Sequence, residues 1–237
     1  MKLLAFESSA KAAGTALLSD GCLLAEYMQN SGQTHSRTLM ELAKNMLSGC
    51  DLTPQDIDAV AVAAGPGSFT GVRIGMACAK GFAWGRQLPL YGVSTLEAMA
   101  RGAACADGVY CACMDARKGQ IYNALFNGTD GALLRRTEDR AIAISELSQE
   151  LKNIPGPVYL AGDGAKLVFD TLKEENLPLR LLPEHLRQQR ASGVALTAME
   201  KIAAGEPADA AALTPNYLRQ AQAERTRQHD KDFYLKK

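Results

Sequence analysis

The chain has 237 residues, 47% of them hydrophobic, and its 26 Lys and Arg offset 26 Asp and Glu to give zero formal net charge with the histidines neutral. That length can bury a substantial core, as one long domain or two small ones. The charge balance excludes a general attraction to nucleic acid or to an anionic membrane, and no stretch approaches the roughly 20 apolar residues of a membrane span.

The opening MKLLAFESS has one lysine and a short apolar run before Glu7, too little for a signal peptide, so a cytoplasmic location is expected. Lys2 to Phe6, Gly14 to Leu18 and Cys22 to Tyr27 read as strands, with SDG at 19–21 as a hairpin turn. A helix is predicted from Ser36 to Leu47, a buried strand over Asp58 to Ala63, a helix over Thr70 to Trp84 and a strand over Leu88 to Val93. Ser94 then caps a helix running to Gly102, and Glu97 is placed to complete a capping box.

Near residue 108 the pattern restarts. Val109 to Met114 is a strand, DARKG at 115–119 a turn, Gln120 to Phe126 the returning strand, and Ala132 to Arg136 a third. A helix near 145–152, a strand over Val158 to Ala161, the loop-like GDGAKL at 162–167 and a helix over Gln188 to Ala204 follow. Alternating strands and helices of this kind make an α/β layered architecture. The two hairpins share a layout: apolar strand, acid (Glu7 or Asp115), small polar turn, apolar strand. The expected organisation is a first domain over 1–104, a second over 105–212, and a segment 213–237 that returns to the first.

Six scattered cysteines lack C-x-x-C spacing, and Cys111 and Cys113 share one face of a strand, as buried thiols in a reducing compartment would. His35, His185 and His229 form no H-x-x-x-H pair, so no metal site is expected.

GPGSFTGVRIG at 65–75 follows a strand and precedes a helix, where a phosphate loop would sit. Its G-x-G-x-x-x-G spacing is one residue too long for the dinucleotide fingerprint, and it lacks the Lys-Ser/Thr ending of a P-loop. Pro66 and Gly67 make the turn, Ser68 or Thr70 caps, and the helix carries Gly71, Gly75 and Gly81. Each interior glycine costs about 1 kcal/mol relative to alanine, so the close approach of another backbone is the expected compensation. In the preceding helix Leu39, Leu42, Ala43, Met46 and Cys50 form the core stripe, and Met40 and Leu47 widen it. These two helices are therefore expected to offer an apolar patch to a protein partner through Met40, Leu47, Gly71, Val72, Ile74, Gly75 and Cys78.

ESS at 7–9 and DARKG at 115–119 resemble the two phosphate hairpins of the actin-like ATPase superfamily, whose first acid holds a metal-nucleotide. The resemblance makes Glu7, Ser8 and Asp115 candidate nucleotide contacts, with Gly162 and Gly164 as the glycine pair that grips an adenosine. Glu7 is one methylene longer than aspartate, and SSAKAAG has no glycine before Gly14. Weak nucleotide binding is expected.

GPGSFTGVRIG, MDARKGQIY and the C-terminal LTPNYLR together resemble the TsaB (YeaZ) family of tRNA threonylcarbamoyladenosine biosynthesis proteins, in chain order to about residue 219. The resemblance implies a duplicated actin-like, RNase-H-like fold with two mixed-sheet domains. It also implies a non-catalytic paralogue of TsaD that lacks that subunit's histidine-pair metal motif. Such a subunit pairs with a TsaD-like catalytic subunit and lets a TsaE-like ATPase join, tRNA is engaged mainly through the complex, and ATP is used by the partners. No tightly bound cofactor is expected, and a homodimer is expected when the chain is alone. Two enzyme readings stand against this scaffold: a small-molecule kinase with Asp115 as base, and a glycoprotease-like metalloenzyme. A third reading is direct RNA binding by the basic tail from Arg219.

Overall fold

The structure of the protein is a computed structural model, and it describes residues 1–208 and 210–219. The first sheet runs in the order β3-β2-β1-β4-β5, from β1 (Lys2–Glu7), β2 (Ala13–Ser19), β3 (Cys22–Gln29), β4 (Ala59–Ala63) and β5 (Leu90–Val93). The second is built from β6 (Gly108–Asp115), β7 (Gln120–Thr129), β8 (Ala132–Arg135), β10 (Val158–Ala161) and β11 (Leu179–Leu181) in the order β8-β7-β6-β10-β11, with β9 (Arg140–Ala143) also paired to β7. Helices α1 (His35–Gly49), α2 (Phe69–Trp84), α3 (Thr95–Ala103), α4 (Ile144–Leu151), α5 (Ala165–Leu172), α6 (Glu184–Arg187) and α7 (Ala191–Ala203) flank the sheets.

The two sheets have one topology. In each, the first two strands pair antiparallel and the first strand pairs parallel with a later one that follows a helix. The helices match in order: α1 with α4, α2 with α5, α3 with α7. This is the duplicated actin-like arrangement, and it places Glu7 and Asp115 at equivalent strand ends.

Alternation along β1 explains how the first sheet is covered. Leu4 and Phe6, with Val60 and Val62 of β4, face α1 and α2, while Leu3 and Ala5, with Ala59, Ala61 and Ala63, face α7. Both faces of the strand are sealed, so it reads as a continuous apolar run. Each such side chain contributes about 1.5–3 kcal/mol through burial when it is as large as leucine.

The helices between the sheets are exchanged. Leu96, Met99, Ala100 and Ala103 of α3 pack on Tyr110, Ala112 and Phe126 of the second sheet, while α7, assigned to the second half on sequence, covers the first sheet. The two helices cross at Gly102 and Gly193; a Cβ on Gly193 would fall inside the Ala98 carbonyl oxygen.

Some local expectations are corrected. Ser94 does cap α3, accepting from the Glu97 amide at 3.2 Å, but the returning arm of the capping box is missing. Glu97 turns instead to Arg135 at 2.7 Å, which also bonds Asp139. The short strands β9 and β11, of 4 and 3 residues, are additions to the elements read from the sequence. The GDGAKL segment is the start of α5 rather than a loop alone.

Candidate functional site: a cleft with one closed corner

A cleft of about 740 Å³ separates the two halves. Its walls come from the β1–β2 turn (Ser9, Lys11), the β4–α2 loop (Gly67, Ser68), the end of β6 and the turn after it (Asp115, Arg117), and the β10–α5 loop with the first turn of α5 (Asp163, Lys166). Position and lining match the place where an actin-like fold could hold a ligand, so each predicted residue can be located against it.

The first corner is closed by glycine packing. A Cβ on Gly71 would collide with the Ser8 carbonyl oxygen, one on Gly75 with Ser8 Oγ, and one on Gly67 would sit 2.6 Å from the Ser9 carbonyl oxygen. The glycines let α2 press onto the backbone of the β1–β2 turn, and Ser8 Oγ donates to the Gly71 carbonyl at 2.9 Å. The Ser68 amide donates to the Ser9 carbonyl at 2.7 Å, and Ser68 Oγ caps the helix by accepting from the Gly71 amide. What approaches these glycines is thus the chain's own first turn rather than a protein partner, through its backbone at Gly71 and through the Ser8 hydroxyl at Gly75. Of the three α2 glycines only Gly81 has nothing within 4 Å of its Cβ position.

Glu7 is sealed beneath this turn. It is 1% exposed, and its Oε1 accepts from the Ser9 amide at 2.6 Å. Burial pushes the carboxyl up to about 7, against the opposing pull of the Ser9 and Ser8 hydrogen bonds. Neither Glu7 nor Ser8 lines the cleft.

The second corner repeats the closure and leaves its acid outside. Gly162 has φ +101° and its Cβ would strike the Cys113 carbonyl oxygen, while one on Gly164 would lie 2.8 Å from the Met114 carbonyl carbon. These two glycines pack on the end of β6 and are not among the residues lining the cleft. Asp115 is exposed, lines the cleft and accepts from the Arg117 amide at 2.7 Å, capping its own turn. Asp163 also lines the cleft, and its carboxylate accepts from Gln189 at 2.8 Å. Lost hydration, then the Asp115 charge, holds that carboxyl above its ordinary value.

The proposed partner patch divides in the same way. Leu47, Gly71, Val72 and Gly75 are buried inside the first half, so they cannot themselves meet a partner. Met40 is 40% exposed, and Ile74 and Cys78 are half-buried on the outward flank of α2, where burial raises the Cys78 thiol. Further along that flank Ala77, Gly81 and Trp84 are exposed, Trp84 by 83%.

LTPNYLR joins two stretches that lie far apart in the sequence. The Asn216 amide donates to the Ala64 carbonyl at 2.7 Å, Tyr217 stacks on Phe69, and Arg219 reaches across to the Ala116 carbonyl at 2.7 Å. The strap ties the GPGSFTG loop of the first half to the β6–β7 turn of the second. A return of the segment 213–237 to the first half is expected from the sequence; its reach to Ala116 of the second half is not, nor are Ser9, Lys11, Arg117, Lys166 and Arg187 as cleft residues. The tail from Gln220 onward, weighed as an RNA contact, lies outside the described residues. Among the described residues no three His, Cys, Asp or Glu side chains are grouped to hold a metal ion, and no helix is long and apolar enough to cross a membrane.

Comparison with known proteins fits this geometry. Residues 24–226 match the family model described as TsaD, tRNA N6-adenosine threonylcarbamoyltransferase. The chain is 35% identical over 228 residues to the tRNA threonylcarbamoyladenosine biosynthesis protein TsaB of Bacillus subtilis, covering 94% of this chain and 96% of that one. It is 34% identical to TsaB of Escherichia coli over 76% of this chain and 79% of the relative. The solved structure of YeaZ from Pseudomonas aeruginosa superposes with a TM-score of 0.77 at 26% identity, covering 92% of this chain and 99% of that one. With the duplicated fold, these matches place the chain in the TsaB family of the TsaD-related proteins of tRNA threonylcarbamoyladenosine biosynthesis.

Proposed function

We propose that the protein is a non-catalytic scaffold of a cytoplasmic tRNA-modifying complex, pairing with a TsaD-like catalytic subunit and recruiting a TsaE-like ATPase. The observation that carries this reading is Glu7. The acid at the first actin-like hairpin is turned inward, 1% exposed and bonded to its own turn, so it has no access to a ligand in the cleft. A catalytic base must come within hydrogen-bond reach of the proton it takes, and Glu7 does not. The glycines beside it are used on Ser8 and Ser9, which leaves few backbone donors for phosphate; any nucleotide binding by the chain alone is therefore weak.

The partner surface is the outward flank of α1 and α2. Met40, Ile74 and Cys78 offer it apolar area, and Gly81 with Trp84 extends it toward the end of α2. A helical glycine with open space over it lacks a reason inside the chain, and a partner backbone lying against it supplies one. The same flank serves a homodimer when the partner is absent. Gly81→Arg and Ile74→Glu test this by sedimentation with the TsaD-like subunit. Gly81→Arg is expected to melt near the parent and to lose association, whereas Ile74→Glu also costs stability because Ile74 is half-buried against the core; a folded Gly81→Arg chain that still associates contradicts the reading.

The enzyme alternative has Asp115 in its favour, since that acid does open onto the cleft. Turnover by the purified chain that vanished in Asp115→Asn would support it over the scaffold.

A further inference from the structure

The mouth of the cleft carries a group of side chains that neither the closed corner nor the α1–α2 flank uses. Phe69 and Tyr217 stack with ring centroids 4.7 Å apart and 27° between planes. The Arg73 guanidinium lies 3.8 Å from the Phe69 centroid and donates to the Tyr217 hydroxyl at 2.6 Å, which fixes the pair at the rim. Tyr217 keeps 38% of its surface exposed.

Five cations, Lys11, Arg117, Lys166, Arg187 and Arg219, line the same cleft from both halves, against Asp115, Asp163 and Glu184. Among the described residues only Lys166 of these five is in an ion pair, with Asp170. The chain as a whole has no net charge, so this concentration is local. On the floor, the buried Ser9 hydroxyl has no hydrogen-bond partner among the described residues.

Cations that track a phosphate backbone, beside aromatic rings that accept unpaired bases, are the means by which proteins hold single-stranded nucleic acid. RNA in particular is recognised at loops whose bases can be splayed onto such rings. An acidic peptide would use the cations and leave the rings idle, and a duplex keeps its bases stacked away from them. From this juxtaposition we propose that the cleft mouth binds a single-stranded segment of the tRNA substrate, with a base on the Phe69–Tyr217 stack and phosphates toward Lys11, Arg117 and Arg219. The proposal rests on the tRNA pathway and not on the α1–α2 flank, so its failure and the failure of the scaffold reading are separate results.

The test is fluorescence anisotropy of a labelled, unstructured RNA of about ten nucleotides with the full chain at low salt. Binding tighter than about 100 μM is expected, weakening steeply as salt is added. Tyr217→Ala is expected to weaken it about 5- to 100-fold and Tyr217→Phe to leave it near the parent. Arg117→Ala is expected to reduce the slope of log affinity against log salt by about 0.7, and Lys44→Ala, remote from the cleft, to change nothing. Melting curves of each variant confirm the fold. Absence of binding up to about 100 μM, or parent-like binding by Tyr217→Ala, overturns the proposal. So does equal competition by polyglutamate, by duplex RNA, or by ATP, which would assign the cleft to an acidic protein, a helix or a free nucleotide.

Discussion

The two strand-end corners of this molecule occupy equivalent places in a duplicated fold and have opposite relations to the cleft. In the first, Glu7 is buried, and α2 closes over it through Gly67, Gly71 and Gly75. In the second, Gly162 and Gly164 close on the end of β6 but Asp115 stays outside, in a turn where Arg117, Lys118 and Gly119 all have positive φ. One corner has become structural and the other still faces solvent. The glycine-rich loop at 65–75 is therefore a packing device: its helix needs glycine because a turn more than sixty residues earlier in the chain lies against it.

The largest expected effect follows from that packing. Gly71→Val forces a side chain into the Ser8 carbonyl and is expected to cost on the order of 3 kcal/mol or more, read from urea unfolding. Parent-like stability would mean the first corner is not closed as described.

Glu7 sharpens the comparison through pH. In the fold it keeps its proton up to about pH 7, whereas the unfolded group releases it near 4.5. The folded state therefore binds more protons, and stability falls as pH rises from about 4.5 through 7. Glu7→Gln removes this slope while keeping an acceptor for the Ser9 amide. Relative to the parent it is expected to gain up to about 3 kcal/mol between pH 4.5 and pH 8, measured by denaturant unfolding at each pH. Parallel pH profiles for the two proteins would show that the carboxyl is not sealed.

Two smaller effects complete the series. Gly81→Ala, with open space over its Cβ, is expected to stabilise the isolated chain by up to about 1 kcal/mol through helix propensity, the opposite sign to Gly71→Val. Asp115→Ala removes the cap of an exposed turn and is expected to cost about 0.5–1 kcal/mol, seen as a small shift of the urea midpoint. A larger loss would mean Asp115 is structural in the way Glu7 is.

Much of this architecture was legible in the sequence, because its signals are local. Alternation along β1, the Ser68 and Ser94 caps, the Asp20-Gly21 turn and the apolar stripe of α1 each act within a few residues. The partner of the α2 glycines was not legible. A stripe of small residues announces that something approaches closely, but what approaches is set by tertiary packing, here the Ser8–Ser9 turn. The capping box at Ser94 failed for a similar reason: Arg135, thirty-eight residues on from Glu97, outbids the local amide. Of the five candidate nucleotide contacts only Asp115 reaches the cleft. The cleft's cations were hidden because they come together from five separate segments of the chain.

The measurement that bears most directly on the scaffold account is threonylcarbamoyl transfer to tRNA by a complex reconstituted from this chain, a TsaD-like subunit and a TsaE-like ATPase. Glu7→Gln is expected to leave turnover at the parent level, because the acid is buried away from the cleft, while Gly81→Arg is expected to abolish turnover together with assembly. Loss of turnover in Glu7→Gln with the complex intact would contradict the account and place this corner in the chemistry.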